Sequence, residues 1–359
     1  MLIKSLRLQY FKNHESRNFE FSPQINCFVG NNGVGKTNVL DALHYLSVGK
    51  SFLGNTDQNN IQQNQDYFLI EAVVADEEKD NILKIQQQTN TKKIIRKNDK
   101  AYSRMADHVG FLPSVIISPY DQNLISDSGE ARRRFLDGMI SQTDSEYLYH
   151  LIQYQKALQQ RNALLKSFQK NRFFDFDSLE IYNHLLIKSG SIIFEKRKVF
   201  NEKFSPIVQK FYQTISEGKE EITIQYQSDL LNTDFERLLS SCLEKDRILT
   251  YTSRGIHKDD LGFLMHQYSL KKAGSQGQQK TFLISLKLAQ MQMIQNITGK
   301  APILLLDDIF DKLDDHRVSQ LISLVNHEKF GQIFITDTHK GRTQSIVQQI
   351  NEESKIFEL

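Results

Sequence analysis

Two cysteines in 359 residues are too few for a disulfide framework, and Cys27 and Cys242 form no CxxC pair. That usage fits a reducing cytoplasm. No stretch approaches about 18 uninterrupted apolar residues, so neither a transmembrane helix nor a membrane partner is expected. The opening MLIKSLRLQYF alternates as a strand does and lacks the apolar run of a signal peptide. An excess of one charge is missing too: 45 Lys and Arg against 43 Asp and Glu leave +2, which does not by itself announce a nucleic-acid binder. With 39% hydrophobic and 25% charged residues, the chain can build one large or two modest soluble domains. There is no internal repeat, and the sustained heptads of a long coiled coil are absent.

What is present begins with Gly30 to Thr37, GNNGVGKT, which satisfies the phosphate-loop pattern G-x-x-x-x-G-K-[ST]. The context is right. Ile25, Cys27, Phe28 and Val29 precede it as a strand, and Val39, Leu40, Leu43 and Leu46 follow at helical spacing. Gly30, Gly33 and Gly35 allow a tight turn in which the backbone N–H groups of Asn31, Asn32 and Val34 also point at phosphate oxygens. Lys36 supplies a mobile positive charge for the β and γ phosphates. Thr37 supplies a hydroxyl for Mg²⁺, and the helix start at Thr37–Asn38 adds its partial positive charge.

Charge is patterned locally. Lys84, Lys92, Lys93, Arg96, Lys97, Lys100 and Arg104 face a single acid, Asp99, in that segment, and Arg132, Arg133 and Arg134 form a second cluster. Either is a solvated face or an electrostatic footprint for phosphate backbones.

Residues 2–10 and 18–29 read as strands leading into the loop, 67–75 and 81–88 as a pair, and 91–103 as a basic strand-like stretch with a turn at Asn98-Asp99. Val115 to Ile117 is a short buried strand. Between Glu130 and Phe211 the only breakers are Gly138, Gly190 and Pro206, and apolar residues fall at helical spacing. A break at Asn171–Asp177 divides two long helices that fold back on each other. Residues 221–228 return to strand alternation, a helix lies near 234–245, and another runs from Gln278 to about Asn296. Strands at 302–310 and 332–336 close the pattern. Strands alternating with helices argue for an α/β fold with an at least partly parallel sheet. The expected division is an ATPase lobe of residues 1–118 and 219–359, interrupted by an inserted helical lobe at 119–218.

Ile303 to Leu306 run into Asp307 and Asp308, which places two carboxylates at the ligand-binding edge of such a sheet. Asp307 is the expected Mg²⁺ partner of Thr37, and Asp308 the group that polarises attacking water. Ser275-Gln276-Gly277-Gln278-Gln279, ahead of a long helix, makes a second anion site at a helix start; alone, Ser275 would read as an ordinary cap.

In this order the motifs resemble the ATP-binding-cassette (ABC) ATPases of the SMC, Rad50 and RecF branch: phosphate loop at 30–37, signature at 275–279, acidic strand at 303–308, Lys312-Leu313-Asp314 like a D-loop, and His339 after the last strand. The resemblance implies an ABC-type ATPase head, a P-loop NTPase with a mixed sheet flanked by helices. It also implies an ATP-dependent homodimer in which Ser275, Gly277 and Gln278 of one copy close on the nucleotide of the other. His339 stands where a switch histidine senses the γ-phosphate, and Gln122 is the candidate for the glutamine that contacts Mg²⁺.

Only 239 residues separate Lys36 from Ser275. That leaves room for short helices rather than the coiled coil of SMC proteins or Rad50, and the CxxC zinc hook of Rad50 is missing. LRLQYFKNHES, SPYDQNL with RRRFLD, GIHKDDL, GSQGQQKT and LLLDDIFDKLD resemble the RecF family across nearly the whole chain. Tyr120 stands where that family usually has Glu, and Ile256 where it usually has Pro. Asp308 replaces the usual ABC glutamate and is one methylene shorter, which points to slow hydrolysis used as a timer. The resemblance implies a bacterial, nucleoid-associated protein of DNA repair, replication and the SOS response. It further implies binding to duplex DNA at single-strand gaps with little sequence specificity, and work with RecR and RecO to load RecA. The rival readings are a Rad50- or SMC-type DNA-end or chromosome-organising head, an ATPase regulator with a protein or RNA client, and a transporter motor.

Overall fold

Alternating apolar residues give the N-terminal half a sheet with one buried face. In β1 (Leu2–Phe11), Ile3, Leu6, Leu8 and Phe11 point inward, and a register shift between Ile3 and Ser5 absorbs the odd spacing as a bulge. The computed structural model describes residues 1–76, 79–218, 220–308, 331–341, 344 and 353–359. These residues divide into two compact units, Met1–Asp121 with Lys280–Leu359, and Gln122–Gln279.

In the first unit β1 folds back on β2 (His14–Glu20). The single strand expected over 18–29 is in fact two: β2 ends at Glu20, and β3 (Ile25–Val29) starts a different sheet. Ser22-Pro23 lies between them, and Pro23 has no N–H to carry a ladder across. α1 (Lys36–Val48) follows the phosphate loop. β4 (Tyr67–Asp76) and β5 (Lys79–Gln88) pair antiparallel as their alternation predicts. β6 (Ile94–Lys97) and β7 (Lys100–Ala101) form a hairpin through Asn98 and Asp99, both at positive φ, the signature of a two-residue type I′ turn. The antiparallel order is β2-β1-β4-β5-β6-β7. β8 (Ser114–Ile117) belongs to the other sheet of this unit.

The second unit contains α2 (Asn123–Ser126), α3 (Gly129–Thr143), α4 (Ser145–Asn171) and α5 (Phe176–Ser216). α4 and α5 pack against each other across the break at 172–175, where Arg172 ends α4 in the left-handed region and Asp175 caps α5 through the Ser178 N–H at 3.1 Å. α4 and α5 are the two long helices expected on either side of that break, and α5 is longer than the short helices that the spacing from Lys36 to Ser275 suggested. Its 41 residues extend about 60 Å at 1.5 Å each. Pro206 lies within it without ending it. β9 (Ile222–Gln227), α6 (Phe235–Leu249), β10 (Asp260–Met265), β11 (Tyr268–Ser269) and α7 (Leu270–Ala273) complete the unit. The second boundary therefore differs from the sequence expectation: residues 220–279 group with the helices rather than with the ATPase lobe. The reason is packing. β9 lies on α5, and β10 on α3.

α8 (Gln276–Thr298) opens in the second unit and continues in the first, where it is buried almost all round from Thr281 to Ile294. β12 (Ile303–Leu306), β13 (Ile333–Asp337) and β14 (Ser354–Glu358) then join β3 and β8 in a wholly parallel sheet of order β14-β3-β13-β12-β8. The run expected as a strand over 302–310 stops at Leu306, so both acids lie beyond its end. Val39, Leu40, Leu43 and Leu46 of α1 share one core with Leu8, Phe68 and Ile70 of the antiparallel sheet and with Phe28, Ile303, Leu305 and Phe334 of the parallel one. Burial on nearly every side fixes α1, and with it the loop at its start.

Candidate nucleotide site

The loop Gly30–Gly35 joins β3 to α1 at the C-terminal edge of the parallel sheet. Asn31, Asn32 and Gly33 are exposed, Val34 and Gly35 half-buried. Gly35 is the N-cap of α1 at φ 104°, with no side chain covering the first N–H groups of the helix. A β-carbon there would lie 2.6 Å from the Asn13 side chain and 2.7 Å from His14, so the position requires glycine on two counts. Lys36 is 5% exposed, and its Nζ donates to the carbonyls of Gly30 and Asn31 at 2.8 and 3.1 Å.

The turn between β1 and β2 supports this loop, a role not read from the sequence. Asn13 Nδ2 donates to the Gly33 carbonyl at 3.3 Å, and His14 Nε2 lies 3.1 Å from the Gly35 carbonyl. Asn38 Nδ2 donates to Asn13 Oδ1 at 2.7 Å. Lys12 Nζ sits 2.5 Å from Asp41 Oδ2 in a buried ion pair on α1. Burial holds the His14 pKa below its ordinary value; the Gly35 carbonyl can only accept, so Nε2 carries the proton in that contact.

The acidic pair converges on the same loop. Thr37 Oγ1 donates to Asp307 Oδ1 at 2.8 Å, closing a sequence separation of 270 residues. Thr336 of β13, also absent from the sequence reading, donates to the same oxygen at 3.0 Å and accepts the Asp308 N–H at 2.9 Å. Asp307 is 3% exposed; burial pushes its carboxyl above the usual range, and the hydroxyls of Thr37 and Thr336 oppose that. Asp308 is half-buried at φ 44°. His339 is exposed beyond β13, its N–H on Asp337 Oδ1 at 3.2 Å. Lys312-Leu313-Asp314 lies outside the described residues.

In the second unit, Ser275 and Gln278 form a reciprocal capping box at the start of α8. The Gln278 N–H reaches Ser275 Oγ at 3.3 Å, and the Ser275 N–H reaches Gln278 Oε1 at 2.7 Å. Gln278 Nε2 donates to Glu220 Oε1 at 2.6 Å. Gly277 lies in the first turn. Gln122, the candidate metal contact, donates to Gln279 Oε1 at 2.9 Å, within the same unit as the signature.

The family-like motifs of this unit interlock. Arg132 grips Asp260 with two parallel bonds at 2.7 and 2.8 Å, Arg133 donates to the Asp259 carbonyl at 2.6 Å, and Arg134 pairs with Glu130. Arg132 and Arg133 therefore form an internal clasp, while Arg134 stays on the exposed surface of α3. Buried Arg197 holds Asp137 and Asp259 at 2.8 and 2.9 Å. Much of the basic stretch in the first unit is likewise engaged: Lys84 with Glu71 and Asp99, Lys93 with Asp57, and Arg104 with Asp107.

Comparison with known proteins fits this geometry. Residues 2–357 match the family described as the RecF/RecN/SMC N-terminal domain. The chain is 48% identical to the DNA replication and repair protein RecF of Flavobacterium johnsoniae over 100% of both chains. It is 42% identical to that of Phocaeicola vulgatus over 99% of this chain and 96% of that one. A solved structure of the recombination mediator protein RecF-ATPrS in the RecFOR pathway superposes with a TM-score of 0.89 at 29% identity, covering 99% of this chain and 95% of that one. An Smc head bound to the C-winged helix domain of ScpA shares the fold, at a TM-score of 0.53, 14% identity and coverage of 96% and 91%. Among the described residues no helix is long and apolar enough to cross a membrane. This chain, an ABC-type ATPase head with an inserted helical region, belongs to the RecF family of recombination mediators in DNA replication and repair.

Proposed function

We propose that this chain is an ATP-switched mediator whose ATP-bound form pairs with a second copy on duplex DNA beside single-strand gaps. The observation that carries the reading is the Thr37–Asp307 contact at 2.8 Å beside the open loop of α1. Two oxygen ligands suit a hard cation, and positive charge there would offset the burial that raises the Asp307 pKa. Thr37 and Asp307 would hold Mg²⁺, which would supply positive charge against the phosphate groups. Residues 30–38 cradle the phosphates. Lys36 leaves the loop carbonyls for the β and γ oxygens, and Asp308 orients water. Ser275, Gly277 and Gln278 of the second copy close over the γ-phosphate, with His339 near it. The shorter reach of Asp308 keeps turnover below about 10 s⁻¹, the median for enzymes, so hydrolysis times release.

The family supports DNA as the ligand, contacted through its backbone with little base reading, with RecR and RecO as partners in loading RecA. Sedimentation of the full chain with gapped duplex, with and without ATP, tests this. The expected result is an ATP-dependent dimer on DNA whose affinity falls steeply with salt. Lys36→Met should lose ATP binding, and Ser275→Arg should keep ATP but remain monomeric. No ATP-dependent DNA binding at low salt would overturn the proposal.

A further inference from the structure

Thr336 is fully buried on β13, the strand between β3, which carries the phosphate loop, and β12, which carries the acids. Its hydroxyl is used on both sides. The O–H donates to Asp307 Oδ1 at 3.0 Å, the oxygen that also accepts from Thr37 at 2.8 Å. A lone pair accepts the Asp308 N–H at 2.9 Å. Asp308 stands at φ 44°, a left-handed conformation that non-glycine residues adopt only when their surroundings hold them there. The Thr336 bond is one such restraint, because it fixes the peptide that begins the turn. Two threonines, one in the first turn of α1 and one near the end of β13, thus converge on one carboxylate oxygen and set its direction. Only one of them, Thr37, belongs to the phosphate loop.

We propose that Thr336 is a positioning residue for the acidic pair. Its single hydroxyl aims Asp307 at the metal position beside Thr37 and holds the left-handed turn that presents Asp308. It touches neither nucleotide nor metal and acts through the two aspartates. Valine has the same shape and no hydroxyl. Thr336→Val removes one of the two described hydroxyl donors to Asp307 and the described hydroxyl acceptor of the Asp308 N–H, so both aspartates lose a restraint.

The inference rests on the ATP reading above, and one experiment separates the two. Binding of a fluorescent ATP analogue to the full chain is measured in Mg²⁺ and in EDTA for wild type, Thr336→Val, Thr336→Ser and Thr336→Ala. A hydrogen bond to a charged group is worth about tenfold or more in binding. Thr336→Val should therefore weaken Mg²⁺-dependent binding about tenfold, leave binding in EDTA within about twofold, and be restored by Thr336→Ser. The Ser and Ala variants differ only in the hydroxyl, and their difference carries the test if the Val variant does not fold. Equal weakening in Mg²⁺ and EDTA, or no difference between Ser and Ala, overturns the role of Thr336. Absence of Mg²⁺-dependent binding in the wild type would instead overturn the ATP reading.

Discussion

His257, in the segment GIHKDDL, should make the fold acid-sensitive by an amount that can be worked out from its surroundings. Its Nε2 lies 2.9 Å from the Thr252 carbonyl and can only donate there, so Nδ1, 2.8 Å from the Tyr154 hydroxyl, accepts. The neutral ring is thus satisfied at both nitrogens, and a second ring proton would face the hydroxyl that now donates to it. Burial pushes the pKa from 6.5 down to about 4; the Thr252 carbonyl opposes this, Lys258 and Arg133 add to it, and Asp246 opposes it. Above pH 6.5 both folded and unfolded chains carry neutral His257 and it contributes nothing to pH dependence. Between 6.5 and about 4 the unfolded chain takes a proton that the folded chain refuses, so stability falls by about 1.4 kcal/mol per pH unit. By pH 5 the loss is about 2 kcal/mol, and it levels off near 3 kcal/mol below pH 4. His44, in the other unit, is pushed down to about 4 by burial as well and adds a second, similar slope. In His257→Gln, the amide can donate to Thr252 and accept from Tyr154 without titrating. Urea unfolding of both proteins at pH 7.5 and 5.0 should show the wild type losing about 2 kcal/mol more than the variant. Equal losses in the two proteins would refute the argument.

Arg197→Met should cost about 3–5 kcal/mol, because it leaves the Asp137 and Asp259 carboxylates without their shared buried cation. Denaturant unfolding of the Met variant against an Arg197→Met/Asp259→Asn double variant checks this, with partial recovery expected in the double. Gly35→Ala should lose nucleotide binding and lower the melting temperature together. A methyl at φ 104° meets Asn13 and His14, so the loop and its support are displaced as one. Calorimetry with an ATP analogue, alongside thermal unfolding, measures both.

The parts of this fold that were legible in the sequence are those set by local pattern. The phosphate loop lies between a strand and a helix, β4 and β5 alternate and pair, and Asn98-Asp99 makes the turn that its residue types demand. The illegible parts depend on partners distant in the chain. Arg132 and Arg133 look like part of an open cationic patch until Asp260 and the Asp259 carbonyl arrive from 126 to 128 residues away. Lys93 reads as a surface cation but is buried, donating to Asp57, Tyr45 and the Gly49 carbonyl at the end of α1. β14 has no strong alternation of its own and exists because β3 offers it an edge. Thr336 sits in an apolar strand where a single hydroxyl carries no pattern. Asn13 and His14 belong to a family-like segment, yet nothing in their spacing shows that they hold the phosphate loop.

Ser275 shows why two readings of one residue can both hold. As a helix cap, its oxygen accepts the Gln278 N–H, which uses one of two lone pairs and none of its donor capacity. The O–H remains able to donate to a phosphate oxygen, and the cap fixes the direction in which it does so. The first N–H groups of α8 favour an anion at the same place. The turn is anchored in addition by Gln278 on Glu220 Oε1, while Glu220 Oε2 takes the Tyr212 hydroxyl at 2.7 Å near the end of α5. The signature is therefore registered to the longest helix of its own unit through a carboxylate that bridges the two. Capping and phosphate recognition make compatible demands on Ser275. A substitution that keeps the cap but removes the hydroxyl donor, Ser275→Asp, separates them: the Asp caps the helix and repels the phosphate.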